Sequence, residues 1–307
     1  MNWVDLLDRL VIRPLAALPP KVRYGLSSTL AFILDRILRY RRVVTDTNLA
    51  IAFPKQSAAW RKAQRRLFYR HFTDIFLEQL WSLHASRAEL LTMTELVGRE
   101  LLAGYAAQGR PVVLASGHCG NFELSAAVLG ELHPAPAAGI YAPMLNASFD
   151  RMIRDARARL GVELWPRKEL MRRLVLWRRS HPSFLLGFLM DQSPHAQRPK
   201  YWVEFFGRST AHHRGFERLA RSIPRAVVVF GWSERLSRGR YRTCVEVLHD
   251  DPNALVEGEL TRMASQRIEA LIRRDPPSWL WTHRRWKLDL QRDWTEHDLV
   301  VQPSVGA

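Results

Sequence analysis

Cysteine is scarce in this sequence. Two residues, Cys119 and Cys244, stand in 307, which excludes a disulfide framework or a zinc ribbon as the source of stability. No apolar run approaches the ~20 residues that a membrane-spanning helix needs. The best, GLSSTLAFIL over 25–34, ends at Asp35 and Arg36. No basic stretch leads into an apolar segment with a small-residue cleavage site, so export is not expected. Repeats and low-complexity linkers are also missing, which leaves one domain as the default. The last shortage is of acid: 30 Asp and Glu against 46 Lys and Arg give a net charge of +16. Such a surface attracts polyanions, namely nucleic acid, anionic lipid headgroups or an acidic carrier protein. A scattered basic surface accounts for arginine over lysine but not for the size of the excess.

What is present describes a globular chain, 47% hydrophobic and 25% charged, enough for a sizeable core. The first hundred residues read as helical. Over 22–40, Leu26, Leu30, Ile33, Leu34, Ile37 and Leu38 fall on one face, flanked by Arg36, Arg39, Arg41 and Arg42. Two readings stand: a helix lying in a membrane interface, or one packed on the core. A second helix over 60–83 carries Phe68, Phe72, Ile75, Phe76 and Leu80 on one face.

The middle of the chain changes character. RPVVLAS (110–116), AAGIYA (137–142), FLLGFLM (184–190), AVVVFGW (226–232) and YRTCVEVL (241–248) are short apolar runs with the signature of buried strands. Helices are expected from about Phe122, over 149–160 with Gly161 as its left-handed cap, over 168–179 and over 255–274. Strands alternating with helices at this spacing predict an α/β fold: a mixed, mostly parallel central sheet flanked by helices, behind a helical N-terminal region. Sites in such sheets gather at the carboxyl ends of strands. GHCGNFE (117–123) and DQSP (191–194) both sit there.

In GHCGNFE, five residues separate His118 from Glu123, about 140° apart on a continuous helix. Gly117 and Gly120 bracket the histidine, so a turn followed by a helix with Asn121 as N-cap is the better prediction. The turn can fold the imidazole within reach of the Glu123 carboxylate. A carboxylate on one ring nitrogen fixes the tautomer and leaves the other as a general base. Backbone N–H groups near Gly120 and Asn121 are then candidates to receive an oxyanion, an arrangement suited to attack by a hydroxyl on a thioester. The plain alternative is a loop histidine and a favourable first-turn charge.

Other candidates are weaker. Cys119 beside His118 points away from it, as adjacent side chains do, so a thiol nucleophile is not expected. Histidine and carboxylate spacings suit no metal site, and His212 and His213 read as structural or surface residues. Trp279, Trp281 and Trp286 interleave with His283, Arg284 and Arg285. That pattern suits either a membrane boundary or phosphate-holding wall, or a plain packed strand. Nucleic-acid binding fits the charge, but no helix-turn-helix, RRM, KH or zinc-finger pattern is present, and no nucleic-acid partner is expected.

Read together, the segments resemble a known family. RRVVTDTNLAIAFP (41–54), GHCGNFE, IYAPMLNASFDRMIRDARARLG (140–161), DQSP, VEFFGRSTAHHRGFERLARSIP (203–224) and WLWTHRRWK (279–287) are similar, in family order, to segments of the lysophospholipid acyltransferase-like family. The lipid A biosynthesis (lauroyl/myristoyl) late acyltransferases typify it. The resemblance implies an O-acyltransferase that needs no cofactor and takes acyl carrier protein thioester, less favourably coenzyme A thioester, as co-substrate. Its acceptor would be the hydroxyl of a lipid such as a lipid A precursor in lipopolysaccharide synthesis, with a different glycolipid or phospholipid as the alternative. It implies His118 as general base and Glu123 as its orienting partner. Asn121, Asp191, Gln192 and Arg284 would bind or shape the substrate. The family places a basic residue after the tyrosine of its Y-R-P segment, where this chain has Ala142, and Arg167 is the candidate to replace it. The implied setting is the cytoplasmic face of a bacterial inner membrane, peripheral or monotopic and in contact with anionic lipid. The implied organisation is a membrane-associating region over 1–100, a catalytic core over 101–290 and a flexible tail over 291–307.

Overall fold

A computed structural model describes residues 3–301. A seven-stranded sheet organises it, in the order β1 (Thr94–Val97), β9 (Arg240–His249), β8 (Val227–Ser237), β2 (Val112–Ser116), β5 (Leu185–Leu189), β3 (Ala137–Tyr141) and β4 (Val162–Pro166). Every pairing is parallel except β8 with β9, a hairpin closed at Gly239. The fold is therefore the mixed, mostly parallel α/β sheet that the sequence predicts.

Both faces are covered, which explains why the strands read as apolar runs without alternation. Val113, Ala115, Leu186, Val228 and Phe230 belong to one core, Val112, Leu114, Leu185, Val227 and Val229 to the other. β6 (Lys200–Phe205), β7 (Arg208–His213) and β10 (Leu299–Val300) form a small second sheet. It was hidden in the sequence, because Tyr201, Trp202 and Val203 are buried among charged neighbours. β10 and the short Leu290–Asp293 helix lie within the span expected to be a tail. Here Asp298 accepts from Trp202 Nε1 at 2.8 Å and pairs with buried Lys200 at 3.0 Å. Residues 302–307 of that span lie outside the described residues.

The N-terminal helices pack in an unusual sense. Pro20–Phe32 turns its small and polar side, Arg23, Ser27 and Ala31, onto the long Ala58–Ser82 helix. Ser27 donates to Asp74 Oδ1; the same carboxylate draws two arginines from the β8–β9 hairpin, Arg235 on Oδ2 at 2.7 Å and Arg238 on Oδ1 at 2.6 Å. Some of the apolar residues face outward: Phe32 is 60% exposed, Ile37 63% and Leu38 65%, while Leu34 packs against the core. The helix is therefore packed on the domain, and its outer side leaves apolar residues uncovered. Among the described residues no helix is long and apolar enough to cross a membrane.

Candidate active site

Parallel pairing decides what meets what. Ser116 at the end of β2 lies in register with Leu189 at the end of β5, and Met190 N–H donates to Ser116 O at 3.0 Å. Two residues further along each strand stand His118 and Asp191. The His118 Nδ1–Asp191 Oδ1 distance is 2.6 Å, and the His118 backbone N–H donates to Oδ2 at 2.8 Å. Trp279 Nε1 donates to the same Oδ2 at 2.7 Å. Three donors thus fix a carboxylate that is 3% exposed.

The electrostatics follow from that contact. Burial pushes the His118 imidazole down, but the Asp191 charge and hydrogen bond outweigh it, and the net shift is upward. Burial alone would raise Asp191; the His118 charge and the hydrogen bonds from His118 and Trp279 instead hold it well below the usual carboxylate range. An ionised Asp191 accepting at Nδ1–H leaves Nε2 as the basic nitrogen. Burial pushes the Cys119 thiol well up, so it stays protonated and takes no part as a nucleophile.

The turn forms as its glycines predict. Gly120 has φ +60°, and a Cβ there would lie 2.1 Å from Ser233 O. Gly117 is needed for space: a Cβ would stand 3.2 Å from Asp191 Oδ2. Asn121 caps the Phe122–Ala127 helix, its Oδ1 accepting from Leu124 N–H at 2.8 Å. Its Nδ2 donates to Glu78 Oε2 at 2.6 Å. Glu78, in the long N-terminal helix, also accepts from Tyr24 and Tyr241 hydroxyls, and burial pushes its carboxyl up to about 7.

One cavity adjoins the histidine, and a second shares walls with it. The first, of about 80 Å³, is lined by His118, Phe122 and the aromatic face of the Ala58–Ser82 helix. The second, larger and mostly apolar at about 260 Å³, lies over the sheet, and Gln79, Phe122 and Glu123 line both.

Comparison with known proteins gives the family. The model of the bacterial lipid A biosynthesis acyltransferases matches residues 1–288. The chain belongs to that family. It is an acyltransferase. It is also similar to the lipid A biosynthesis lauroyltransferase of Escherichia coli (strain K12), 23% identical over 290 residues, covering 93% of this chain and 92% of that protein.

Several expectations for this acyltransferase change on the geometry. Asp191, not Glu123, is the hydrogen-bond partner of His118. Glu123 contributes only through space; its carboxylate accepts from Arg157 Nη2 at 3.1 Å. The spacing argument overlooked this because a partner 73 residues away leaves no local pattern. Asn121 is 1% exposed and engaged at both ends of its amide, so it is a structural cap rather than a substrate contact. The backbone groups expected to receive an oxyanion are occupied, Gly120 N–H by Ser278 O and Asn121 N–H by Ser233 Oγ. Gln192 does reach the centre, with its Nε2 3.3 Å from His118 Nε2.

Arg167 is exposed and lies beside Ala142, since Tyr141 pairs with Pro166 and accepts from Arg167 N–H at 3.2 Å. Arg284 is exposed, whereas its neighbour Arg285 is buried, donating to Ala211 O and facing His212 Nε2 at 2.7 Å. Burial first, then Arg167, Arg285, Lys287 and His283, push His213 down to about 4, and burial likewise pushes His283 down to about 4, so Arg167, Arg285 and Lys287 are the cations of this region. Of the tryptophans of WLWTHRRWK, Trp279 and Trp281 are buried and Trp286 is partly buried against the same core, with a single β-bridge from Trp279 to Cys119 in place of a strand.

Four residues went unnoticed as members of the site. Arg157 and Trp279 sit inside segments already singled out. Glu78 and Gln79 carried no signal beyond helical periodicity.

Proposed function

We propose that the protein transfers a fatty acyl group from a carrier-protein thioester to a hydroxyl of a phosphorylated glycolipid of the lipid A precursor type. The transfer takes place at the cytoplasmic face of the inner membrane. The observation that carries this reading is the Asp191–His118 pair, with His118 Nε2 left as the base beside an apolar cavity. His118 Nε2 takes the acceptor hydroxyl proton as the oxygen attacks the thioester carbonyl. The C–O bond forms, the C–S bond breaks, and the imidazolium returns the proton to the leaving thiolate. Asp191, in place of Glu123, holds the tautomer and balances the imidazolium. The Gln192 amide is the donor best placed for the oxyanion. Arg167, Lys287 and their neighbours offer a cationic region for acceptor phosphates.

The +16 charge suits an acidic carrier protein. The outward apolar residues of 22–40, next to arginines, suit an anionic bilayer. The words lipid A biosynthesis in the relative's name support the choice of acceptor. The test is acyl transfer to purified lipid acceptors from carrier-protein and coenzyme A thioesters, by wild type and His118→Ala. Loss in the variant supports the mechanism, and undiminished transfer refutes it.

A further inference from the structure

Glycine inside a strand weakens the sheet unless something needs the space. Three such glycines, Gly139 in β3, Gly187 in β5 and Gly231 in β8, line the 260 Å³ cavity. None has a positive φ, so the backbone does not require them.

Register shows why they matter together. Val229 pairs with Leu114, Leu114 with Gly187, Gly187 with Gly139, and Gly139 with Leu164. Paired residues of parallel strands point to one side, so this is a single row across five strands. In its middle two neighbouring positions have no side chain, while Leu114 and Leu164 stand at either end. Gly231 extends the gap past Leu114, whose methyls would lie 3.1 Å from a Cβ there. Leu129 walls the trough at Gly187, its Cδ2 3.2 Å from where a Gly187 Cβ would sit. From Gly231 to Gly139 the trough crosses three strand spacings, roughly 14 Å.

We infer that this glycine-floored trough holds the acyl chain of the donor and limits its length, with Gly139, Gly187 and Gly231 as the specificity-determining residues. The inference rests on the acyl-transfer reading above. An apolar cavity of about 150 Å³ accommodates benzene, or about 25 Å³ per carbon. On that scale 260 Å³ takes about ten carbons. With the thioester carbonyl left outside beside His118, the preferred acyl group has about 10–12 carbons.

The test is competition among saturated thioesters of 8, 10, 12, 14 and 16 carbons, with products read by mass spectrometry. Wild type is expected to prefer 10–12 carbons and to use 16 at least tenfold less well. Gly187→Ala and Gly139→Ala should move the optimum about two carbons shorter. Leu129→Ala, which widens the trough at Gly187, should move it longer. Folded variants of both kinds that keep the wild-type chain-length profile overturn the inference. If wild type transfers no acyl group from any donor, the catalytic reading fails instead. Calorimetric titration with free fatty acids of the same lengths then decides the trough by itself: a length optimum abolished by Gly187→Val supports it, and no length dependence refutes it.

Discussion

Replacing Asp191 by Asn is the sharpest perturbation of the site, because the two carboxylate oxygens are not equivalent. Oδ2 receives two N–H donors, from the His118 backbone and Trp279 Nε1, while Oδ1 faces only His118 Nδ1. The amide oxygen of Asn must take the Oδ2 place, where an NH₂ would confront two donors. Its NH₂ then points at Nδ1 and forces that nitrogen to accept. The proton moves to Nε2, and the base is lost without any change of shape. In a hydrolase triad the same tautomer inversion costs about 10⁴ in kcat, and a loss of 10³–10⁴ is the expected scale here.

A pH profile of acyl transfer gives a second readout. His118 acts as base when neutral, and its pKa is shifted above 6.5, so wild-type activity should fall as pH drops through a midpoint above that value. Without the Asp191 charge the lowering by burial remains. The residual activity of Asp191→Asn should therefore have its midpoint below 6.5. A variant within about tenfold of wild type, or with an unmoved midpoint, refutes the reasoning.

Three further outcomes are expected. Glu78→Gln should stabilise the protein at pH 8 relative to wild type, because burial raises the Glu78 carboxyl from 4.5 to about 7. The unfolded chain ionises first, so wild type loses up to about 3 kcal/mol between those pH values. Equal changes in Tm at pH 4.5 and pH 8 would count against this. Gly120→Ala should destabilise by about 3 kcal/mol or more, since its Cβ would collide with Ser233 O in a left-handed conformation; denaturant unfolding measures it. Phe32→Ser combined with Ile37→Ser should weaken binding to anionic vesicles at least tenfold while leaving folding intact, as both side chains are solvent-facing. Vesicle flotation reads the effect, and retention on DNA in place of vesicles would favour the nucleic-acid alternative.

Much of the fold was legible because its signals are local. The apolar runs of β2, β3, β5, β8 and β9 mark strands buried on both faces, and Gly120 with Asn121 announces a turn and a helix start. β1, inside a stretch read as helical, β4 and the small β6–β7–β10 sheet were not legible. VELWP and KYWVEF mix charge with apolar residues, and only tertiary packing decides which side is buried. His118 was found from its glycine bracket. Its true partner was not, because the contact depends on which strand pairs with β2, a choice that sequence spacing does not encode. The helix over 22–40 had the right periodicity, but periodicity does not say which face turns inward. Ser27 and Asp74 settled that by hydrogen bonding.

The site is stitched from far-apart stretches of chain. Asn48 Nδ2 donates to the carbonyls of Trp281 and His283, Leu280 N–H donates to His118 O, and Trp279 holds Asp191. The base is therefore unarmed until residues near 283 have left the ribosome and docked. By then the N-terminal helices with their outward apolar side have long been synthesised. Synthesis order alone thus lets the chain reach a surface before it can react there, and a chain truncated before Trp279 should emerge inert.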